Sequence, residues 1–153
     1  MSILKRLLAA VVLLAGILTA SGFVLPAITH VERSITIARP PVEVFALLNS
    51  CRRFNAWSSW HGRDPKTACT FEGADERVGA GMRRSSGQSD VGKGRQTIIE
   101  SVPNQTVGTR LEFKGQNDAT AVFTLIVERG GTRVVCAFDI GHGGNPVARW
   151  FAG

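Results

Sequence analysis

The chain has 153 residues and a mass of 16.4 kDa, enough for one ordinary domain and too little for a multidomain enzyme. With 44% hydrophobic and 20% charged residues it is too apolar for a disordered chain, and its 17 glycines follow no triplet period, which excludes collagen. The net charge of +6 falls to +4 once Lys5 and Arg6 are set aside. That surplus is scattered and lacks the clustered basic and aromatic residues of a nucleic-acid binder, so no nucleic-acid partner is expected.

From Leu7 to Leu25 the chain runs 19 residues without a charge, and nothing there is more polar than Thr19 and Ser21. As a helix this stretch is roughly 28 Å long, close to the hydrocarbon thickness of a bilayer. Pro26 marks its end. Lys5 and Arg6 ahead of it favour a cytoplasmic N-terminus, with the rest of the chain on the periplasmic or extracellular side. Residues 1–26 therefore read as a single-pass membrane anchor and residues 27–153 as the domain it tethers. The alternative is a signal peptide cut near Thr19-Ala20-Ser21-Gly22, which would give a secreted domain. The apolar run continues past that point through Phe23, Val24 and Leu25, which favours the anchor.

Residues 28–38 alternate, with Val31, Arg33, Ile35 and Ile37 on one side, and predict a half-buried strand. Pro40-Pro41 suits a helix start, where a missing N–H is no loss. Val44, Leu47, Leu48 and Cys51 then form an apolar helical stripe. Arg52 to Trp57 reads as a second short helix, ending in the run Trp57-Ser58-Ser59-Trp60.

Strands fill the remainder: 67–72, 81–86, 94–102, 105–114, 119–129 and 132–140, with a loop at 73–79. Val107, Thr109, Leu111 and Phe113 share one face of their strand, as do Ala121, Phe123, Leu125 and Val127 of the next. Val134, Cys136, Phe138 and Ile140 repeat the pattern in the last. Gly130-Gly131 is the strongest hairpin signal in the chain. A strand, two short helices and six strands joined by tight turns predict an α+β fold with a meandering antiparallel sheet.

Pro40-Pro41 with Phe45 and Asn49, then Phe54-Asn55, Trp57-Ser58 and Trp60, then Gly79 and Gly81, together resemble the START-like superfamily. More closely, the chain resembles its polyketide cyclase/dehydrase (SRPBCC) group over about residues 28–152. Ile99-Glu100-Ser101-Val102-Pro103-Asn104 and Gly143-Gly144-Asn145-Pro146 are similar to stretches of a membrane-anchored bacterial type. The resemblance implies a helix-grip fold, a curved seven-stranded antiparallel sheet wrapped around a long C-terminal helix with a ligand cavity between them. It also implies either a binder of lipids and other hydrophobic small molecules or a cofactor-free cyclase acting on a poly-β-ketone.

Asn145 to Phe151 leads toward that helix, but the sequence stops at Gly153, so the helix is expected to be missing or truncated. The residues raise the same question. Phe113, Phe123, Leu125, Cys136 and Phe138 make a broad apolar face that short helices at 41–57 cannot cover. Left wet, each such side chain forfeits roughly 1.5–3 kcal/mol. Chain beyond residue 153, a lipid, a second copy in a homodimer or a partner helix would each cover it.

Trp57 and Trp60 either plug the core or line a cavity mouth, where an indole offers a flat apolar surface and an N–H. Ile98, Leu111, Phe113, Phe123, Leu125 and Phe138 complete the expected ligand-binding set. Glu100 is a weak catalytic candidate: alternation with Ile98 and Val102 turns it inward, where its pKa would rise, whereas an outward Glu100 would pair with Arg110. His30, His61 and His142 have no partner at metal-ligand spacing, so no metal is expected, and no Ser or Cys has a nucleophile context. Gly79-Ala80-Gly81 and Gly92-Lys93-Gly94 read as hairpin turns rather than phosphate loops. Cys51, Cys69 and Cys136 are an odd count and read as small core residues, with one disulfide open to them in an oxidising compartment. The chain has no Tyr and few inward polar groups. The residues thus favour a non-catalytic binder of a hydrophobic small molecule or lipid over the cyclase, with no cofactor.

Overall fold

In the computed structural model, which describes residues 3–115, 117–143 and 149–150, the chain forms two units. One comprises the chain before His30 together with that from Gly141 onward; the other is His30–Ile140. The residues 144–148 and 151–153, on which the expected start of a C-terminal helix falls, lie outside the described residues.

In the first unit, helix α1 (Ile3–Gly22) is long and apolar enough to cross a membrane, as an anchor or a signal sequence. Its two hydroxyl side chains are satisfied within the helix: Thr19 Oγ1 donates to Ala15 O at 2.7 Å and Ser21 Oγ to Leu18 O at 2.8 Å. That matters in hydrocarbon, where no water replaces a missing partner. Beyond its end, Arg149 donates to Gly143 O at 2.6 Å, and Trp150 Nε1 donates to Leu18 O at 2.9 Å.

The chain continues as β1 (Ile28–Ile37), α2 (Pro41–Leu48), a 3₁₀ turn (Phe54–Ala56), α3 (Ser59–Arg63), β2 (Ala68–Glu72), β3 (Gly81–Ser85), β4 (Lys93–Val102), β5 (Thr106–Phe113), β6 (Ala119–Glu128) and β7 (Gly131–Gly141). The seven strands form one curved sheet in the order β1-β7-β6-β5-β4-β3-β2, the helix-grip arrangement of an α+β fold. From β2 to β7 each strand pairs antiparallel with the next, as the tight turns require.

The registers stack the inner-face side chains in rows across the sheet. Phe71, Met82, Gln96, Leu111 and Ala119 form one row, and Ile98, Thr109, Ala121 and Phe138 the next. Ser101, Val107, Phe123 and Cys136 form a third. Helix α2 begins at Pro41 and lays Val44 against Leu125 and Val134. Cys51 and Phe54 pack on Ala80, Met82, Ile98 and Val107. At the end of α2, the buried Asn49 accepts a hydrogen bond from Ser101 Oγ at 2.7 Å, which fixes the helix to β4.

Several expectations are corrected. Arg52–Trp57 is a turn that includes the 3₁₀ segment, and the second short helix is α3, starting at Ser59. Strand β1 is exposed along almost its whole length, with Ile35 65% accessible, rather than half-buried. It is an edge strand, and among its residues α2 packs against Ile37. Val127 shares a face with Leu125 but is 74% exposed, because it lies beyond the cover of α2. The hairpin loop is Arg129-Gly130, and Gly131 already pairs with Glu128.

A β-bulge between Ile98 and Glu100 corrects the phase of β4. Ile98 still pairs with Thr109 on the inner face, but the extra residue moves Ser101 inward and Glu100 outward, opposite Gly108. Glu100 is exposed, so it does not point into the sheet's concave side. A Cβ on Gly108 would lie 2.9 Å from the Glu100 Cβ, so the missing side chain there makes room for the bulged strand. The three cysteines are free thiols.

Candidate functional site

On the concave side of the sheet two apolar hollows adjoin. One, of about 220 Å³, lies between α3 and the sheet and is lined by Trp57 and Trp60 above and by Leu111, Ala121, Phe123 and Phe138 below. The other, of about 290 Å³, lies under α2 between Ile35, Ile37, Val44 and Val134. Leu48, Trp57, Phe123 and Cys136 line both, so the two form one groove. Together they reach roughly 500 Å³, within the range of small-molecule sites.

Side-chain geometry holds the roof in place. Trp57 stacks edge-on to Phe54 at 4.8 Å and to Phe123 at 5.8 Å, and its Nε1 donates to Leu47 O at 3.3 Å. Trp60 sits 6.0 Å from Phe54 and 6.2 Å from Phe113. Both indoles thus belong to an aromatic cluster and also line the groove. Trp57 remains 40% exposed.

Of the expected ligand-binding residues, Trp57, Trp60, Leu111, Phe123 and Phe138 come together on the groove. Ile98 and Leu125 are instead fully covered, the first by Cys51 and Phe54 and the second by Val44. Phe113 stands behind Trp60, outside the lining. Alternation puts Thr109 on the inner face with Leu111, but the expected ligand-binding set leaves out the polar members of the wall, Ser58, Ser59, Gln96 and Thr109. Ser58 Oγ and Gln96 Oε1 are buried without a hydrogen-bond partner among the described residues. On alternating strands a Gln ordinarily signals the wet face, and the pairing of Gln96 with Leu111 shows that it points inward.

Among the described residues Cys136 is the one titratable group lining the Trp60 hollow, and burial raises its thiol pKa, which keeps it protonated and a poor nucleophile. Among the described residues no group of three or more His, Cys, Asp or Glu side chains converges as a metal site would require.

Helix α3 is pinned at its C-terminal end. The buried Asp64 accepts hydrogen bonds from Ser86 Oγ at 2.5 Å and from the Lys66 N–H at 3.0 Å, tying the Trp60 helix to the end of β3. The Ser86 hydroxyl, followed by the Lys66 N–H and charge, lowers the Asp64 pKa below its ordinary 3.8. A carboxylate with a lowered folded-state pKa lends stability that is complete above its unfolded value and is lost as the pH falls through the folded one. The melting temperature should therefore begin to fall below about pH 4 in the wild-type chain, with a shallower acid limb in Asp64→Asn; circular dichroism melts between about pH 6 and pH 3 check this.

An antiparallel helix-grip sheet with an aromatic-roofed apolar groove is the architecture of a START-like domain. A family model described as "Polyketide cyclase / dehydrase and lipid transport" matches residues 29–153, and the chain belongs to that family. No curated protein matches the chain. Among solved structures it resembles CalU16 from Micromonospora echinospora at 16% identity and TM-score 0.54, over 73% of this chain and 60% of that one. It is likewise similar to a protein from Rhodobacter sphaeroides (20% identity, TM-score 0.58, 80% of this chain and 78% of the other). A protein from Chromobacterium violaceum is also similar (21% identity, TM-score 0.53, 71% and 77%). At these identities the likeness is one of fold.

Proposed function

We propose that the domain of residues 27–153 is a non-catalytic binder of a hydrophobic small molecule or lipid, held at a membrane by residues 1–26. The observation that carries this reading is the groove itself, an apolar channel roofed by Trp57 and Trp60 and floored by Leu111, Phe123 and Phe138. Aromatic and aliphatic walls with a few polar atoms are the usual composition of a small-molecule site. The reading as a binder rather than a cyclase rests on proton chemistry. General acid-base catalysis needs a group that titrates within reach of the substrate, and this lining offers a protonated thiol and, at the far end, Arg33. Lys5 and Arg6 support an anchor that leaves the domain outside the cytoplasm.

A titration of the full chain in lipid nanodiscs with the uncharged dye N-phenylnaphthylamine tests the binding claim. Saturable one-to-one binding above that of empty nanodiscs is expected. A purely linear signal, equal to lipid partitioning, would contradict it.

A further inference from the structure

The hollow beneath Trp60 carries a polar patch in its apolar wall. Gln96 on β4 and Thr109 on β5 belong to it, and Ser58, the residue before α3, joins them in the lining. All three are more than nine-tenths buried, Gln96 being 4% exposed, Thr109 6% and Ser58 7%. Gln96 pairs with Leu111 and Thr109 with Ile98, so the two are diagonal neighbours about 7–8 Å apart, within reach of a Gln side chain. Two polar atoms of the patch are orphaned: among the described residues Gln96 Oε1 and Ser58 Oγ have no hydrogen-bond partner. Ser58 holds the N-cap position of α3, yet its hydroxyl makes no capping bond there.

Cys51 decides which end of the Gln96 amide is left over. Burial raises the Cys51 thiol pKa, so the thiol keeps its proton, which it donates to Ala80 O at 3.5 Å. The sulfur therefore meets Gln96 with a lone pair, which accepts from Nε2 at 3.9 Å. That contact occupies the nitrogen and leaves Oε1 as a buried acceptor in want of a donor, a costly state unless an occupant of the hollow supplies one. A carboxylate has no proton to give, and it would be buried without a counter-charge, since among the described residues no Lys, Arg or His lines this hollow. An ammonium fares no better, for the same wall holds no Asp or Glu. A hydroxyl is neutral, donates once and accepts as well, which matches the two orphaned atoms.

We infer that the groove takes an apolar alcohol, its hydroxyl donating to Gln96 Oε1 and accepting from the Ser58 hydroxyl, with its tail between Trp57, Phe123 and Phe138. This deepens the binding reading above and rests on it. The apolar walls supply affinity, and the Gln96 acceptor selects a guest that carries a donor.

Calorimetric titration of the full chain in nanodiscs with octanol and with its isomer heptyl methyl ether, against empty nanodiscs, separates the two claims. The isomers share their atoms and differ in that only octanol can donate a hydrogen bond. Octanol is expected to bind roughly tenfold more tightly, the worth of one hydrogen bond to an otherwise unsatisfied buried acceptor. Gln96→Met should erase that preference by weakening octanol alone, and it should melt no lower than wild type, since an apolar side chain of similar length replaces an unsatisfied amide. Octanol binding no tighter than the ether in the wild-type chain, or a preference that survives Gln96→Met, would overturn the alcohol assignment and leave the apolar groove standing. No binding of either probe would overturn both. The wild-type comparison decides the matter even if the variant fails to fold.

Discussion

Gly131→Ala is expected to destabilise the domain by about 3 kcal/mol or more, a loss on the order of 10 °C or more in melting temperature. Gly131 opens β7 where the backbone of Ile37 and Ala38 passes over it. A Cβ there would collide with Ile37 O and lie 2.9 Å from Ile37 C. That carbonyl cannot swing aside cheaply, because it accepts a hydrogen bond from Arg39 N at 2.7 Å. The next residue, the fully buried Thr132, clamps the same segment by donating from Oγ1 to Arg39 O at 2.8 Å. Its neighbour Gly130 is the informative control. Gly130 has φ +94° and nothing within 4 Å of the position a Cβ would take, so alanine there meets backbone strain alone, about 1 kcal/mol. Thermal melts of the two variants should separate clearly. Equal melting temperatures would contradict the close approach of β1 to the start of β7.

Phe123→Ala should have the largest effect on binding, weakening the uncharged dye at least about tenfold while destabilising the domain by about 2 kcal/mol. Phe123 stands where the two hollows meet, lines both, and supports Trp57 edge-on. Its loss removes both the floor of the groove and the contact that fixes part of its roof. Ile126→Ala on the same strand is the control, since Ile126 lies outside the lining and should leave affinity unchanged. Dye binding by Phe123→Ala at wild-type affinity, with a folded far-ultraviolet spectrum, would place the guest elsewhere.

Much of this architecture is legible in the residues, for identifiable reasons. Strands β5, β6 and β7 alternate cleanly because one face of each packs inward, so Leu111, Phe123 and Phe138 can be assigned to a shared surface before their registers are known. Trp57 and Trp60 announce themselves by size. The bulge in β4 does not: Ile98-Ile99-Glu100-Ser101-Val102 fits either phase of a two-residue period, and only pairing with β5 shows that Glu100 turns outward and Ser101 inward. The exposure of β1 is hidden for a related reason, since its apolar alternation records a face available for burial and says nothing of which element reaches it. The second short helix is expected too early in the chain because Ser58, the extended residue before α3, makes no capping hydrogen bond from its side chain.

The burial of Arg84 is the least legible part. Arg84 sits in the sequence beside Arg83, which is exposed and paired with Glu72. Nothing in that dipeptide tells which arginine is buried. The distinction emerges only when Arg84 falls opposite Gly94 and beneath Trp60.

Native mass spectrometry of the full chain, released gently from the membranes in which it was made, tests most directly whether the groove holds a guest. The account predicts a second charge-state series, heavier by one small apolar molecule per chain and lost on collisional activation, that is absent from Phe123→Ala. Bare protein mass in every preparation, with no adduct regained on incubation with octanoate or octanol, would contradict it.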